Sequence, residues 1–214
     1  MMQTPDLRPC DSVLFDLDGT LWDASSTCAM AWTKSLELLG RPELVVTADD
    51  AIGFTGLQFD TILEEFFPSV GKELYQTFLD CYQQQELGLM EDQGGELYVG
   101  VKEVLLKLSR THKLFVVSNC LDGYVENFFR WTGLEPLFDG WESLGRSGRP
   151  KASNIASVIK DQGLRFPIYV GDTAHDAEAA RKNRIPFVFV EYGFGNVESP
   201  LFAISSLGEL LDLL

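Results

Sequence analysis

Two aspartates, Asp16 and Asp18, close an apolar run that reads Val13-Leu14-Phe15-Asp16-Leu17-Asp18-Gly19-Thr20. Residues two apart on a strand project to one face. Both carboxylates would therefore stand together at the carboxyl end of a strand, the edge where open α/β sheets build their sites. Carboxylates that close repel unless a cation, a shared proton or a reaction divides their roles. Gly19 permits a sharp turn, and Thr20 sets a hydroxyl beside the acids. By itself the segment also fits a strand that merely stops in a turn, where Asp and Gly are common, so the companions decide.

Three later segments supply companions. Phe115-Val116-Val117-Ser118-Asn119 places a hydroxyl and an amide just beyond a buried strand, where Ser118 and the following backbone N–H groups can meet phosphate oxygens; taken alone, the serine reads as a helix cap. Lys151 follows the loop Gly145-Arg146-Ser147-Gly148-Arg149-Pro150. In isolation it reads as a solvated lysine; at a site it would neutralise a phosphate and nearby acids. Ile168-Tyr169-Val170-Gly171-Asp172-Thr173-Ala174-His175-Asp176 reads as strand, glycine turn and helix start, with Asp172 and Asp176 four apart on one face. An acidic first turn also complements a helix dipole, so capping explains these two equally well on their own. Together with Asp16 and Asp18 they make four carboxylates, a dense set of hard oxygen ligands that suits Mg²⁺.

The elements that must position these groups follow from pattern and charge. The chain has 214 residues, 45% of them apolar, enough for one sizeable domain or a core with a smaller insert. Residues 22–96 hold fourteen Asp and Glu against Lys34, Arg41 and Lys72, a balance of −11 out of the total −15, which suggests a distinct unit inserted after the first strand. That stretch reads as helices: one following Ser25 and Ser26 and stopping at Gly40, one over 57–67, and one capped by Ser69, with 92–95 as a linker. Beyond it, helices (101–108, 125–131, a segment holding 155–159, 174–182, 207–214) alternate with strands (114–117, one opened by Phe138, 168–170, 187–190, one near Phe202). The expectation is an α/β, Rossmann-like, doubly wound and mostly parallel sheet over 1–21 and 96–214, carrying an all-helical cap domain over 22–95.

Partner classes narrow as well. A net charge of −15 argues against nucleic acid, and no apolar stretch approaches the ~18 residues that would span a membrane. Cys10, Cys28, Cys81 and Cys120 are scattered without a CxxC pair, and the first residues show no secretory pattern, so a reduced, cytoplasmic protein acting as monomer or homodimer is expected.

The order Asp-Leu-Asp-Gly-Thr, Ser-Asn after a strand, a lysine, then Gly-Asp-Thr-x-x-Asp resembles the haloacid dehalogenase superfamily, and the likeness covers essentially the whole chain. The helices between the first two motifs, and Tyr98-x-Gly100-Val101 after them, are similar to its phosphoglycolate phosphatase-like branch with a helical cap. The resemblance implies an enzyme: a Mg²⁺-dependent phosphatase acting on a small phosphorylated metabolite. Asp16 would be the nucleophile that forms an aspartyl-phosphate, and Asp18 the acid and then the base. Ser118, Asn119 and Lys151, with Gly19 and Thr20, would hold the phosphate. The metal would take Asp16, Asp18 (through its backbone carbonyl), Asp172 and Asp176. Substrate choice would fall to the cap, near Gly53, Thr55 and Gly56. Arg184 departs from the branch, standing where glycine is usual, which suggests Asn183 as the left-handed residue. A β-phosphoglucomutase-like mutase, or a silent binding protein on the same fold, are the alternatives.

Overall fold

The computed structural model describes residues 7–55, 57 and 59–214. In chain order the elements are β1 (Ser12–Phe15), β2 (Trp22–Asp23), α1 (Ser25–Leu38), α2 (Ala48–Phe54), α3 (Phe59–Phe66), α4 (Tyr75–Gln93) and β3 (Glu96–Leu97). There follow α5 (Val101–Leu108), β4 (Lys113–Ser118), α6 (Tyr124–Thr132), β5 (Gly140–Ser143), α7 (Leu144–Ser147) and α8 (Lys151–Gln162). The chain ends with β6 (Pro167–Gly171), α9 (Ala174–Asn183), β7 (Phe187–Val190), β8 (Ala203–Ile204) and α10 (Leu210–Leu213). Two compact units result, one of residues up to Asp23 with Glu96–Leu214, the other of Ala24–Gly95.

The first unit is a six-stranded sheet in the order β5-β4-β1-β6-β7-β8, with every pairing parallel. A parallel sheet in a doubly wound fold is covered on both faces, so its strands read as unbroken apolar runs rather than alternating ones. All four residues of β1 are buried, as are the five of β6. On one face Leu14, Phe115, Val117 and Tyr169 pack against Ile155 of α8 and Ala179 and Ala180 of α9. On the other, Phe15, Phe138, Phe129 and Trp141 form a chain of ring contacts, edge to face at its two ends and tilted in the middle. The strand order reverses around β1, whose last residue is level with Val116 of β4 and Val170 of β6. The segments leaving β1, β4 and β6 thus emerge side by side at the switch point, where such sheets bind ligands.

The second unit is helical. Trp32 on α1 is 3% exposed and sits among the rings of Phe54, Phe59, Phe67, Phe78 and Tyr82. Truncating an aromatic buried to that degree costs about 3–5 kcal/mol, so one tryptophan organises the packing of this unit. Thr27 donates to the carbonyl of Gly94 at 2.6 Å and ties the start of the unit to its end.

Several boundaries differ from expectation. The run predicted as one helix over 57–67 is preceded by a second short helix, α2, which starts at a capping box of Thr47 and Asp50. Gly53 and Phe54 belong to its last turn. Helix α4 begins at Tyr75, after a 3-10 turn over Lys72–Leu74, and not at Ser69. It runs on through Asp92 and Gln93, so only Gly94 and Gly95 separate it from β3. Gly94 breaks it by adopting φ 60°. Ser25 is helical rather than preceding α1. The strand expected at Phe138 lies at 140–143, and the antiparallel pair β2–β3 was not foreseen, two residues being too short to leave a periodic signal.

The turn after α9 also differs. Asn183 stays helical, its side-chain amide donating to the carbonyls of Ala152 and Ala179 at 2.9 Å each. Arg184 takes the left-handed conformation instead, at φ 56°. A side chain there costs about 1–2 kcal/mol against the following carbonyl, and Arg184 is exposed. Arg184→Gly is expected to stabilise the protein by about 1 kcal/mol, raising the melting temperature by roughly 2–4 °C. Calorimetry of the two proteins checks this, and an unchanged or lower midpoint contradicts it.

Candidate active site

Asp16 is the first residue past β1 and still receives strand pairing, its N–H donating to the carbonyl of Val170 at 2.9 Å. The chain then folds into a tight turn in which the carbonyl of Leu17 accepts from the N–H groups of Thr20, Leu21 and Trp22. Gly19 holds φ 78°, and a Cβ there would lie 2.2 Å from Asp172 Oδ2, so any side chain would displace the carboxylate. Asp172 stands at the end of β6 and is fully buried. Its Oδ2 accepts from the backbone N–H of Phe194 at 2.8 Å and of Gly195 at 3.3 Å, and its Oδ1 from the Thr20 hydroxyl at 3.3 Å. A Cβ on Gly193 would fall 2.2 Å from the Asp172 Cβ. The 192–195 loop, whose importance sequence reading missed, is therefore moulded around this one carboxylate.

Asp176 does two jobs. It forms a capping box at the start of α9 with Thr173, whose N–H and hydroxyl donate to Oδ2 at 3.0 and 2.6 Å. Its Oδ1 meets Lys151 Nζ at 2.6 Å. Lys151 opens α8, is 6% exposed, and places the same nitrogen 2.9 Å from Asp16 Oδ1. A lysine that by itself read as solvated is thus a buried cation bridging two acids. Ser118 ends β4, is 5% exposed, and is not a helix cap, since α6 begins at Tyr124 after Gly123. Its hydroxyl makes no hydrogen bond with the described residues and is available to an incoming oxygen.

The carboxylates of Asp16, Asp172 and Asp176 each offer an oxygen, and these lie within 4.8 Å of one another. The Asp18 carboxyl is not in this group. It turns instead to Trp22 Nε1 at 3.0 Å and the Tyr124 hydroxyl at 2.7 Å, two donors that sequence reading missed. Gly53 and Thr55 lie in the helical unit, and Gly56 lies outside the described residues.

Three acids and one lysine leave the buried cluster short of positive charge. Burial, followed by the charge of Asp176, pushes the Asp16 carboxyl above the usual range despite Lys151. Burial and Asp176 likewise raise Asp172. Burial raises Asp18 to about 7, partly opposed by the Tyr124 hydrogen bond. The Lys151 ammonium is held well above its ordinary value: burial works against it, and the charges of Asp16 and Asp176 outweigh burial. An oxygen-lined, negatively charged pocket of this kind fits a hard divalent cation.

Acids raised in the folded state bind protons that the unfolded chain has already lost between about pH 4 and pH 7, so stability falls as pH rises through that window. In chelator the melting temperature should be several degrees lower at pH 8 than at pH 5.5. Asp16→Asn should raise the pH 8 value and flatten the slope. Thermal melts at the two pH values check both outcomes, and an equal or higher midpoint at pH 8 for the parent protein contradicts the account.

Among the described residues no helix is long and apolar enough to cross a membrane. The chain aligns with a phosphoglycolate phosphatase from Vibrio vulnificus at 29% identity over 222 residues, covering 94% of each. It aligns with one from Caulobacter vibrioides at 28% over 196 residues, covering 86% of this chain and 80% of that protein. A haloacid dehalogenase-like family hydrolase from Streptococcus pneumoniae shares the fold, with a TM-score of 0.82 at 22% identity over 95% of this chain and 97% of that one. The family model for haloacid dehalogenase-like hydrolases matches residues 13–190, from β1 to the last residue of β7. The chain belongs to the haloacid dehalogenase-like hydrolase family.

Proposed function

We propose that the protein is a Mg²⁺-dependent phosphatase that hydrolyses a small phosphomonoester through a phosphorylated Asp16. The observation that carries this reading is the placement of Asp16: buried at the switch point of the sheet, paired to Lys151, and two residues from a second carboxyl that lies outside its charge cluster. Asp16 and Asp172 would hold the metal, with the Asp18 backbone carbonyl; Asp176, its oxygens already engaged by Thr173 and Lys151, would support them. When bound, magnesium would neutralise charge on the phosphate oxygens.

The residues of the chain divide the remaining work. A carboxylate oxygen of Asp16 attacks phosphorus while Asp18, poised near neutrality, protonates the departing ester oxygen. Asp18 then takes a proton from the water that releases phosphate from Asp16. Lys151 and the Ser118 hydroxyl, with Asn119 beside it, orient the phosphate oxygens and offset their charge. Relatives named phosphoglycolate phosphatase make 2-phosphoglycolate the first candidate substrate. The net charge of −15 speaks against nucleic acid as a partner, and the absence of a disulfide among the four cysteines of the described residues supports the cytoplasm as the place of action.

Phosphate release from p-nitrophenyl phosphate and 2-phosphoglycolate is expected with Mg²⁺, lost in chelator and restored on readdition. Asp16→Asn should lower kcat by roughly 10³-fold or more. Absence of Mg²⁺-dependent release, or an Asp16→Asn variant as active as its parent, removes the reading. The acidity of residues 22–96 gives a further expectation: ATP should be hydrolysed more slowly than small acid or sugar phosphates in the same assay.

A further inference from the structure

Both hydrogen bonds to the Asp18 carboxyl fall on one atom. Trp22 Nε1 and the Tyr124 hydroxyl donate to Oδ1, while Oδ2 takes no hydrogen bond from the described residues. The two donors are rigidly placed. Trp22 and Tyr124 are 0% and 2% exposed and meet edge to face at 5.8 Å; Trp22 also meets Phe128, one turn along α6 from Tyr124, at 5.0 Å. Trp22 is pinned to the same turn as its acceptor, donating its N–H to Leu17 and accepting from Gly19. Tyr124 is fixed as the first residue of α6, behind Gly123 at φ 88°.

We propose that Trp22 and Tyr124 are positioning residues that reserve Oδ1 of Asp18 as an acceptor and make Oδ2 the atom that carries the proton to and from the substrate. The inference rests on the phosphatase reading. An oxygen that receives two donors has its lone pairs occupied, so the neutral acid keeps its proton on the other oxygen. As an Asp16 oxygen bonds to phosphorus, the bond from phosphorus to the ester oxygen breaks. That oxygen keeps the electron pair and takes the proton from Oδ2, leaving Asp18 as a carboxylate. In the second half, water oxygen bonds to phosphorus, its proton passes to Oδ2, and the bond from phosphorus to Asp16 breaks. The acid is restored. Neutral donors suit this cycle because they bind either form of the carboxyl, whereas a cation in their place would favour the ionised form and hold back the proton-bearing one.

The test uses leaving-group dependence. An alkoxide needs a proton in order to depart and nitrophenolate does not, and kcat/KM reports only steps up to phosphorylation of Asp16. Tyr124→Phe and Trp22→Phe keep an aromatic ring and remove the donor. Each should lower kcat/KM roughly 10- to 100-fold for the best alkyl phosphomonoester in a panel that includes 2-phosphoglycolate. On p-nitrophenyl phosphate the same variants should lose less than about threefold, and the alkyl loss should appear in kcat rather than KM. Equal losses on both esters, or a loss confined to KM, overturn this inference and leave the phosphatase reading intact. Failure of the parent protein to hydrolyse either ester overturns both.

Discussion

The arrangement of the site depends on a shortage of positive charge around buried acids. Asp16, Asp172 and Asp176 share one lysine, and all four residues are almost wholly buried. Dipoles make up part of the difference. Asp172 draws on two backbone N–H groups and a threonine hydroxyl, and Asp176 on the N–H and hydroxyl of Thr173. Those contacts require backbone to approach the carboxylates closely, which is why Gly19 and Gly193 lie where a Cβ would overlap Asp172. A fold that left these acids paired one to one with cations would be more stable and would have nothing left with which to hold a metal.

Asp16 and Asp18 are neighbours of the same chemical type made different by their surroundings. Asp16 faces a cation and two further acids, which keeps it inside a charge cluster. Asp18 faces an indole N–H and a phenol, which hold its orientation, while burial raises it to about 7 against the pull of their hydrogen bonds. Two carboxyls whose environments diverge in this way can serve as nucleophile and proton carrier within one short segment.

Much of this was legible in the sequence. The i, i+2 spacing of Asp16 and Asp18, the apolar strands and the Gly-Asp-Thr-x-x-Asp segment each carry local signals that survive folding, and the parallel sheet followed from their alternation with helices. Lys151 carries no such local signal, since its burial depends on acids 135 and 25 residues away, and it entered the reading only through its companion motifs and the resemblance. The 192–195 loop and the two donors to Asp18 were missed for the same reason, since glycines after a strand and an aromatic at the start of a short strand or of a helix are ordinary in sequence and acquire meaning only from what they face. Helix ends in the second unit went astray where a capping box at Thr47 and Asp50 and a glycine at φ 60° overrode the hydrophobic period.

Trp22 joins these levels. Its indole holds Asp18, its backbone closes the turn that begins at Leu17, and it pairs with Leu97 in the two-residue ladder through which the chain leaves and re-enters the sheet unit. Tyr98 follows directly, bonding through its N–H to the carbonyl of Leu21 and packing on Tyr192, whose hydroxyl in turn donates to the carbonyl of Thr20. Seventy-two residues are thus inserted at a point where both chain connections are fastened to the turn that carries Asp16 and Asp18. A short antiparallel ladder is marginal by itself; here its residues are secured by the buried rings and hydrogen bonds of the site. The contacts of Trp22 that orient Asp18 therefore also fix the points at which the chain leaves and re-enters the sheet unit.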